Sequence, residues 1–395
     1  MRVAVAGGGV FGVTAALALR RRGHDVALVD PGPLPHPLAE STDISKVVRL
    51  DYGADELYTE LAERAMDGWR RWNRAWPAPR FHETGVAYLT RDQMGRSGFE
   101  HDSLALLERR GHACERLDAA AIARRYPAFR PGAFQGGYYN PQGGWAEATE
   151  VVRHLLGEAR DAGVAVRGGC AARAIAEADG RAAGLVLADG AVIAADLVVV
   201  ASGAWAGQLS PALARALRAS GQPVFHLRPA DPTLYRPEVF PVFCDDIART
   251  GYYSFPINRD GLVKVANHGP GVDVDMTRSE RPVAGADEDA LREFLGDALP
   301  DLAGAEIASR RLCVYGDTAD GHFWIDEDPA LPGLMVAAGG SGHGFKFAPI
   351  LGDLIADAAV GPGLPPALAH RFRWRPEVEG SANQEAARFL GPPSR

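Results

Sequence analysis

The chain reads as an α/β protein: a Rossmann-like parallel sheet, interrupted by two long excursions that build a second, α+β lobe on an antiparallel sheet. Three observations carry this reading. The apolar run Val3-Ala4-Val5-Ala6 leads directly into Gly7-Gly8-Gly9-Val10-Phe11-Gly12, the strand-to-glycine-turn pattern that opens a doubly wound unit. A second strand-like run over 24–30 ends in a carboxylate, Asp30, eighteen residues after Gly12. Two later apolar runs, over 196–201 and 334–338, also lead into glycine turns, so strands suited to one buried parallel sheet are scattered along the whole chain.

Each element follows from local rules. Gly7 permits a tight turn, Gly9 lets the backbone approach a pyrophosphate, and Gly12 lets the next helix pack closely on the strand. That helix, over 13–22, directs its amides and its positive end at the phosphates. Asp30 stands where such folds place the acid that holds a pair of ribose hydroxyls. An ordinary glycine turn is the plainer alternative, and the combination of strand, helix and spaced acid argues against it. Over 55–76 the positions Leu57, Leu61, Ala65, Trp69 and Trp72 recur with helical period, 81–89 reads as a strand, and 101–127 is again helical in pattern. The return to the nucleotide lobe is expected at Gly136-Gly137, followed by a helix over 146–162, a strand over 164–167 and a hairpin over 182–193 that turns at Asp189-Gly190. The second excursion holds alternating strands over 252–257 and 261–266, and 339–344 leads into a helix through 355. The expected division is 1–54, 136–224 and 306–395 for the nucleotide lobe, with 55–135 and 225–305 for the substrate lobe.

Composition narrows the partners. A net charge of −8 in 395 residues, with no basic stripe, argues against nucleic acid and against an anionic membrane surface. Small-molecule chemistry remains. The four cysteines, Cys114, Cys170, Cys244 and Cys313, are widely separated and form no metal-ligand or disulfide pattern, which suits a reducing cytoplasm. Three glycines interrupt the first apolar stretch, so it does not read as a signal sequence; no run is long enough for a membrane span, and the final Gly-Pro-Pro-Ser-Arg is no peroxisomal address. His322, His343 and Asp326 lack the spacing of a metal site, and Gly339-Gly340-Ser341-Gly342 lacks the last glycine of a serine-hydrolase elbow.

A nicotinamide dehydrogenase normally completes its binding domain as one continuous block, whereas these nucleotide segments are split three ways, as in flavin enzymes of the glutathione-reductase-like type. Only one full glycine fingerprint is present, so FAD reduced by the substrate itself is expected, without a second nicotinamide site. Several segments then resemble one family in order and spacing: Gly7 to Gly12 with Asp30, Lys46-Val47-Val48-Arg49, Gly251-Tyr252-Tyr253-Ser254-Phe255-Pro256, Leu262-Val263-Lys264, Leu312-Cys313-Val314-Tyr315 and Ser341-Gly342-His343-Gly344-Phe345-Lys346-Phe347. Together they are similar to monomeric sarcosine oxidase and its FAD-dependent amine oxidase relatives, within the D-amino acid oxidase superfamily. Thr42-Asp43-Ile44-Ser45-Lys46 with Asp51-Tyr52-Gly53, Gly144-Trp145-Ala146-Glu147-Ala148 and Phe372-Arg373-Trp374-Arg375-Pro376-Glu377 lean towards the fructosyl amino acid oxidases, or amadoriases. Thr42 and Lys46 replace the His and Arg usual in sarcosine oxidases, which points away from sarcosine itself.

The resemblance implies roles, each with a plainer alternative. Cys313 matches the cysteine that joins the flavin 8α-methyl carbon by a thioether; otherwise it is a buried core thiol. Lys264 matches the cation that speeds oxygen reduction by stabilising developing superoxide; otherwise it is a solvated strand lysine. Lys46 matches a second cation on the other ring face, or else pairs with Asp43 or Asp51. Lys346 matches the anchor of the substrate carboxylate, with Arg49 as a second candidate. Tyr253 and His268 match pocket-lining positions, or are a core aromatic and a loop residue. Of Arg371, Arg373 and Arg375, Arg373 is the one assigned to substrate, although surface or interlobe ion pairs are the usual fate of such arginines. Cofactor contacts are expected from Gly7, Gly9, Val10, Phe11, Gly12, Asp30, Ser45, Lys46, Ala172, Ser202, Gly203, Trp205, Cys313, Gly342, His343, Gly344, Phe345 and Lys346, the last loop stabilising negative charge at flavin N1 and the C2 oxygen. The implied reaction oxidises the secondary amine of an N-substituted amino acid, hydrolyses the imine and passes the electrons to oxygen as hydrogen peroxide, in a monomer without metal. For a fructosyl amino acid the products would be a sugar osone and the free amino acid. Oxidation of an N-methyl or cyclic imino acid is the alternative, and a flavin dehydrogenase or a non-catalytic flavoprotein a further one.

Overall fold

In the computed structural model, which describes residues 1–375 and 387–389, the chain forms two large sheets and two small ones. Pro376, Glu377 and 391–395 lie outside the described residues. The nucleotide-type sheet has six strands in the order Trp324–Glu327, Leu334–Ala338, Leu197–Val200, Arg2–Ala6, Asp25–Val29 and Ala165–Arg167. Only Trp324–Glu327 runs antiparallel to its neighbour. Val198, Val199 and Val200 are each 0% exposed, as expected of a parallel strand covered on both faces. Helices Val10–Arg21, Ala148–Asp161 and Ala348–Val360 bury one face through a shared core. The hairpin sheet Ala172–Ala178, Arg181–Leu187 and Val192–Ala194 covers the other.

The second sheet is large and mostly antiparallel. Its order is Val272–Asp273, Leu217–Arg228, Val263–Asn267, Tyr252–Ser254, Val242–Asp245, Val86–Thr90, Gly136–Asn140 and Glu115–Asp118, with Glu306–Thr318 laid along Leu217–Arg228. Phe129, Phe134, Phe225, Phe240 and Phe243 fill a separate core between this sheet and helices that include Ala119–Arg125 and Gly285–Ala298. A small sheet of Lys46–Val48, Gly144–Ala146 and Phe81–His82 lies at the junction.

Sequence and structure differ at three places. The single strand expected over 81–89 is two, in different sheets, because the chain turns a corner at Gly85, whose φ is +82° and where a Cβ would meet the Tyr139 ring at 2.2 Å. The helical stretch expected over 101–127 is broken by strand Glu115–Asp118; it follows Gly111 at φ +85° and ends where Asp118 caps the next helix by accepting from the Ala121 amide at 2.7 Å. Third, Gly136–Asn140, Leu217–Arg228 and Glu306–Thr318 all hydrogen-bond into the large sheet, although the sequence reading set 136–224 and 306–395 in the nucleotide lobe. Their partners are distant in sequence, so local pattern does not reveal the pairing.

Candidate active site

Gly7 and Ala201, just past two strand ends, and Ala338 at a third line a cleft of about 910 Å³. Twelve of the expected cofactor residues line it: Gly7, Gly9, Val10, Phe11, Asp30, Lys46, Ser202, Gly203, Trp205, Gly342, Gly344 and Phe345. The glycines are needed for close approach. Gly7 has φ +113° and a Cβ there would be 2.5 Å from the Ala201 oxygen; at Gly12, just behind the cleft, a Cβ would be 1.9 Å from the Gly7 oxygen. Gly12 therefore packs helix on strand, as its place in the motif requires. Asp30 accepts from the Gly8 and Gly32 amides at 2.8 and 3.0 Å, which fixes its carboxylate at the cleft wall with lone pairs to spare. Burial raises its pKa, and the two amides oppose that rise.

Five expected cofactor residues besides Gly12 lie off this wall. Ala172 begins an outer strand opposite Leu187. His343 points into an aromatic cluster, its ring between the Tyr52 hydroxyl at 3.1 Å and the Gly321 oxygen at 2.8 Å, stacked on Phe323. Lys346 donates to the Tyr52 hydroxyl and the His343 carbonyl, both at 2.9 Å. Ser45 is buried beside Lys46, with its carbonyl accepting from Lys264 at 2.7 Å. Cys313 is 2% exposed; its neighbours Val314 and Tyr315 line the cleft, and its Sγ lies 3.8 Å from Nζ of Lys46. Glu40, Ser41 and His36 also line the cleft and carried no signal in spacing. Ser41 Oγ accepts from the Val10 amide at 2.9 Å, and desolvation lifts Glu40 to about 7.

Behind Lys46 lies a buried charge network. Lys264 is 2% exposed and donates to Asp43 Oδ2 at 2.6 Å, so the solvated-lysine reading does not hold. Its pKa is pushed down to about 8 by burial, with Asp43 opposing that fall and Lys46 adding to it. Asp43 also faces His226 Nε2 at 3.1 Å, and with Lys264 and His226 beside it stays well below the usual carboxylate range against the cost of its own burial. His226 and Lys264 are directly opposed on neighbouring antiparallel strands, which is why both reach one carboxylate. Thus Asp43 serves Lys264 rather than Lys46. Asp51 is likewise taken, accepting from Tyr138 at 2.7 Å and Asn140 at 3.3 Å.

Two more groupings complete the site. Tyr253 and Tyr315 share a hydrogen bond between hydroxyls and pack with Cys313, while the His268 ring lies 5.7 Å from that of Tyr315. Tyr253 and His268 are therefore brought to the Cys313 side. In the second grouping, the Arg49 guanidinium lies 4.7 Å and the Lys346 ammonium 5.1 Å from the centre of the Tyr52 ring, and both residues are buried. Arg373 is not part of this group: it is exposed at the end of helix Pro366–Phe372 and donates to the His370 carbonyl, capping that helix. Arg371 pairs with Asp55 and Arg375 with Asp320. Among the described residues no cluster is placed to hold a metal ion and no helix is long and apolar enough to cross a membrane.

The chain belongs to the family of FAD dependent oxidoreductases, whose sequence model matches residues 2–358. It is 28% identical over 361 residues to N-methyl-L-tryptophan oxidase of Salmonella arizonae, covering 90% of this chain and 94% of that one. It is 28% identical over 366 residues to monomeric sarcosine oxidase of a Bacillus species, covering 91% and 92%. Among solved structures, Amadoriase I, the fructosyl amine:oxygen oxidoreductase of Aspergillus fumigatus, superposes with a TM-score of 0.81 at 26% identity over 99% of this chain and 93% of that one. These matches bear out the resemblance read from the sequence, and with it the FAD-binding α/β fold. The cleft itself fits the cofactor: its glycine turns leave room only for backbone at Gly7, Gly342 and Gly344, and Ser202 presents on its wall a buried Oγ with no partner among the described residues.

Proposed function

We propose that the chain is an FAD-dependent oxidase of the secondary amine of N-substituted amino acids, with fructosyl amino acids as the first substrate class and hydrogen peroxide as a product. The observation that carries this is the pair of buried cations, Arg49 and Lys346, held over one Tyr52 ring. Two desolvated positive charges at one end of the site favour an anionic ligand, and an amino-acid carboxylate fits that chemistry. FAD, when bound, supplies the two-electron acceptor for the carbon–nitrogen bond. Lys346 and Arg49 then orient the substrate through its carboxylate, which fixes the Cα and nitrogen relative to the cleft. Tyr253 and His268 line the pocket on the Cys313 side, and Cys313 holds the cofactor through its sulfur. Lys264, kept charged by Asp43 in a site that excludes water, offers a fixed positive charge to oxygen as it gains electrons.

Thr42 and Lys46, and the likeness to the amadoriase structure, support the sugar-bearing substrate. The sequence relatives that act on N-methyl amino acids support the second reading, an N-methyl or cyclic imino acid. Anaerobic mixing of the purified holoprotein with each class separates them. Bleaching of the bound flavin by a fructosyl amino acid at least tenfold faster than by sarcosine, N-methyltryptophan or proline supports the first reading; the reverse order selects the second, and bleaching by none overturns both.

A further inference from the structure

A second cleft, of about 1220 Å³, reaches Asp43, His226 and Ser309. Lys264 does not line it; the lysine is separated from the cleft by the carboxylate it is bonded to. Four groups form a continuous hydrogen-bonded chain. Ser309 Oγ lies 2.6 Å from His226 Nδ1, His226 Nε2 lies 3.1 Å from Asp43 Oδ1, and Asp43 Oδ2 lies 2.6 Å from Lys264 Nζ. Both imidazole nitrogens are engaged, one towards the open cleft and one towards the buried lysine. Each link is a group that takes up and releases a proton, and the chain ends at an ammonium with no solvent of its own.

We propose that Ser309, His226 and Asp43 form a proton relay from the second cleft to Lys264. The proposal rests on the reading of Lys264 as the group that meets oxygen. Conversion of oxygen to hydrogen peroxide takes two electrons and one proton from the reduced cofactor and one more proton from the protein. Lys264 gives that proton as its ammonium becomes an amine. Asp43 passes one back from His226 Nε2, and His226 recovers one at Nδ1 through the Ser309 hydroxyl from water in the cleft; one solvent proton is then consumed and the imidazole is left as its Nδ1–H tautomer, which exchanges protons with water to regain the resting Nε2–H form before the next turnover. The ionised Asp43 only accepts, so the resting imidazole carries its hydrogen on Nε2 and leaves Nδ1 to accept from Ser309. The other charges facing this network are Arg311, whose guanidinium is held on the Thr42 and Ala39 carbonyls, Lys46 beside Lys264, and Glu147, Glu150, Arg153, Arg259 and Asp260 along the cleft.

The test uses the holoprotein with ¹⁵N-labelled histidine. NMR of the resting protein is expected to show His226 as the Nε2–H tautomer; the Nδ1–H tautomer would overturn the relay. Stopped-flow reoxidation with an indicator dye then follows proton uptake separately from flavin colour. In His226→Gln, which keeps a hydrogen-bonding side chain but cannot carry a proton, uptake is expected to slow at least tenfold, with a larger solvent deuterium isotope effect and reduction by substrate changed less than twofold. Imidazole is expected to restore uptake in His226→Ala, and Ser309→Ala to slow it in a protein with the histidine intact. Unchanged uptake in His226→Gln and Ser309→Ala, while Lys264→Met slows reoxidation, refutes the relay alone. Unchanged reoxidation in Lys264→Met refutes the reading beneath it.

Discussion

Asp43→Asn removes one charge and almost no volume from the centre of the network. The Asp43 side chain is 0% exposed and lies 2.6 Å from the Lys264 ammonium. Losing one partner of a buried pair costs about 3–5 kcal/mol, which is about two to four powers of ten in the proton affinity of the lysine left behind. Lys264 stands at about 8 with its partner present, so the substitution pushes it further down. At neutral pH the variant's lysine therefore carries its charge far less often than the wild type's. The sign is fixed: the ammonium is present below its pKa and lost above. Reoxidation of the reduced wild-type protein by oxygen is therefore expected to fall as pH rises through about 8, and the variant's to be slow at neutral pH and to recover towards acid. Stopped-flow mixing with oxygen between pH 5 and 9 reads this, with anaerobic reduction by substrate as the control. A variant profile that superimposes on the wild type would show that Asp43 does not hold the charge on Lys264.

Gly12→Ala places a Cβ 1.9 Å from the Gly7 oxygen, so flavin content and melting temperature are both expected to fall, read by the 450 nm to 280 nm absorbance ratio and by calorimetry. Lys346→Ala or Arg49→Ala removes one of two buried cations and is expected to weaken carboxylate ligands by about 30-fold or more, with little effect on a decarboxylated analogue; equal losses for both ligands would assign the cations to the fold. Cys313→Ala is expected to release flavin into the supernatant on acid precipitation, where the unmodified protein leaves a fluorescent pellet.

The nucleotide turn was legible in the sequence because its chemistry is local: Gly7, Gly9, Gly12 and Asp30 act through a turn, a helix end and one strand. Lys264 was legible only through the segment around it. Its partner Asp43 is 221 residues away, and nothing in a single sequence marks two strands as antiparallel neighbours that bring His226 opposite Lys264. The same limit explains the lobe boundaries. Gly136–Asn140 contains two glycines and two tyrosines, a good turn by composition, yet it pairs with Val86–Thr90 across the large sheet. The motif points Arg373 towards substrate, whereas the structure leaves it as an exposed helix cap. Tyr52 gathers Arg49 and Lys346, and with Lys346 294 residues away its role has no local signal beyond an aromatic three residues from a cation.

In the proposed reaction a secondary amine next to a carboxylate is oxidised with oxygen as the electron acceptor. Hydrogen peroxide release, measured against disappearance of each member of a panel of N-substituted amino acids by purified holoprotein, tests it most directly. The expected result is one peroxide per amine consumed, highest with a fructosyl amino acid and lost when the carboxylate is removed. Reduction of the flavin by such a substrate without peroxide release would contradict the oxidase reading, and no reduction by any member of the panel would contradict the substrate class itself.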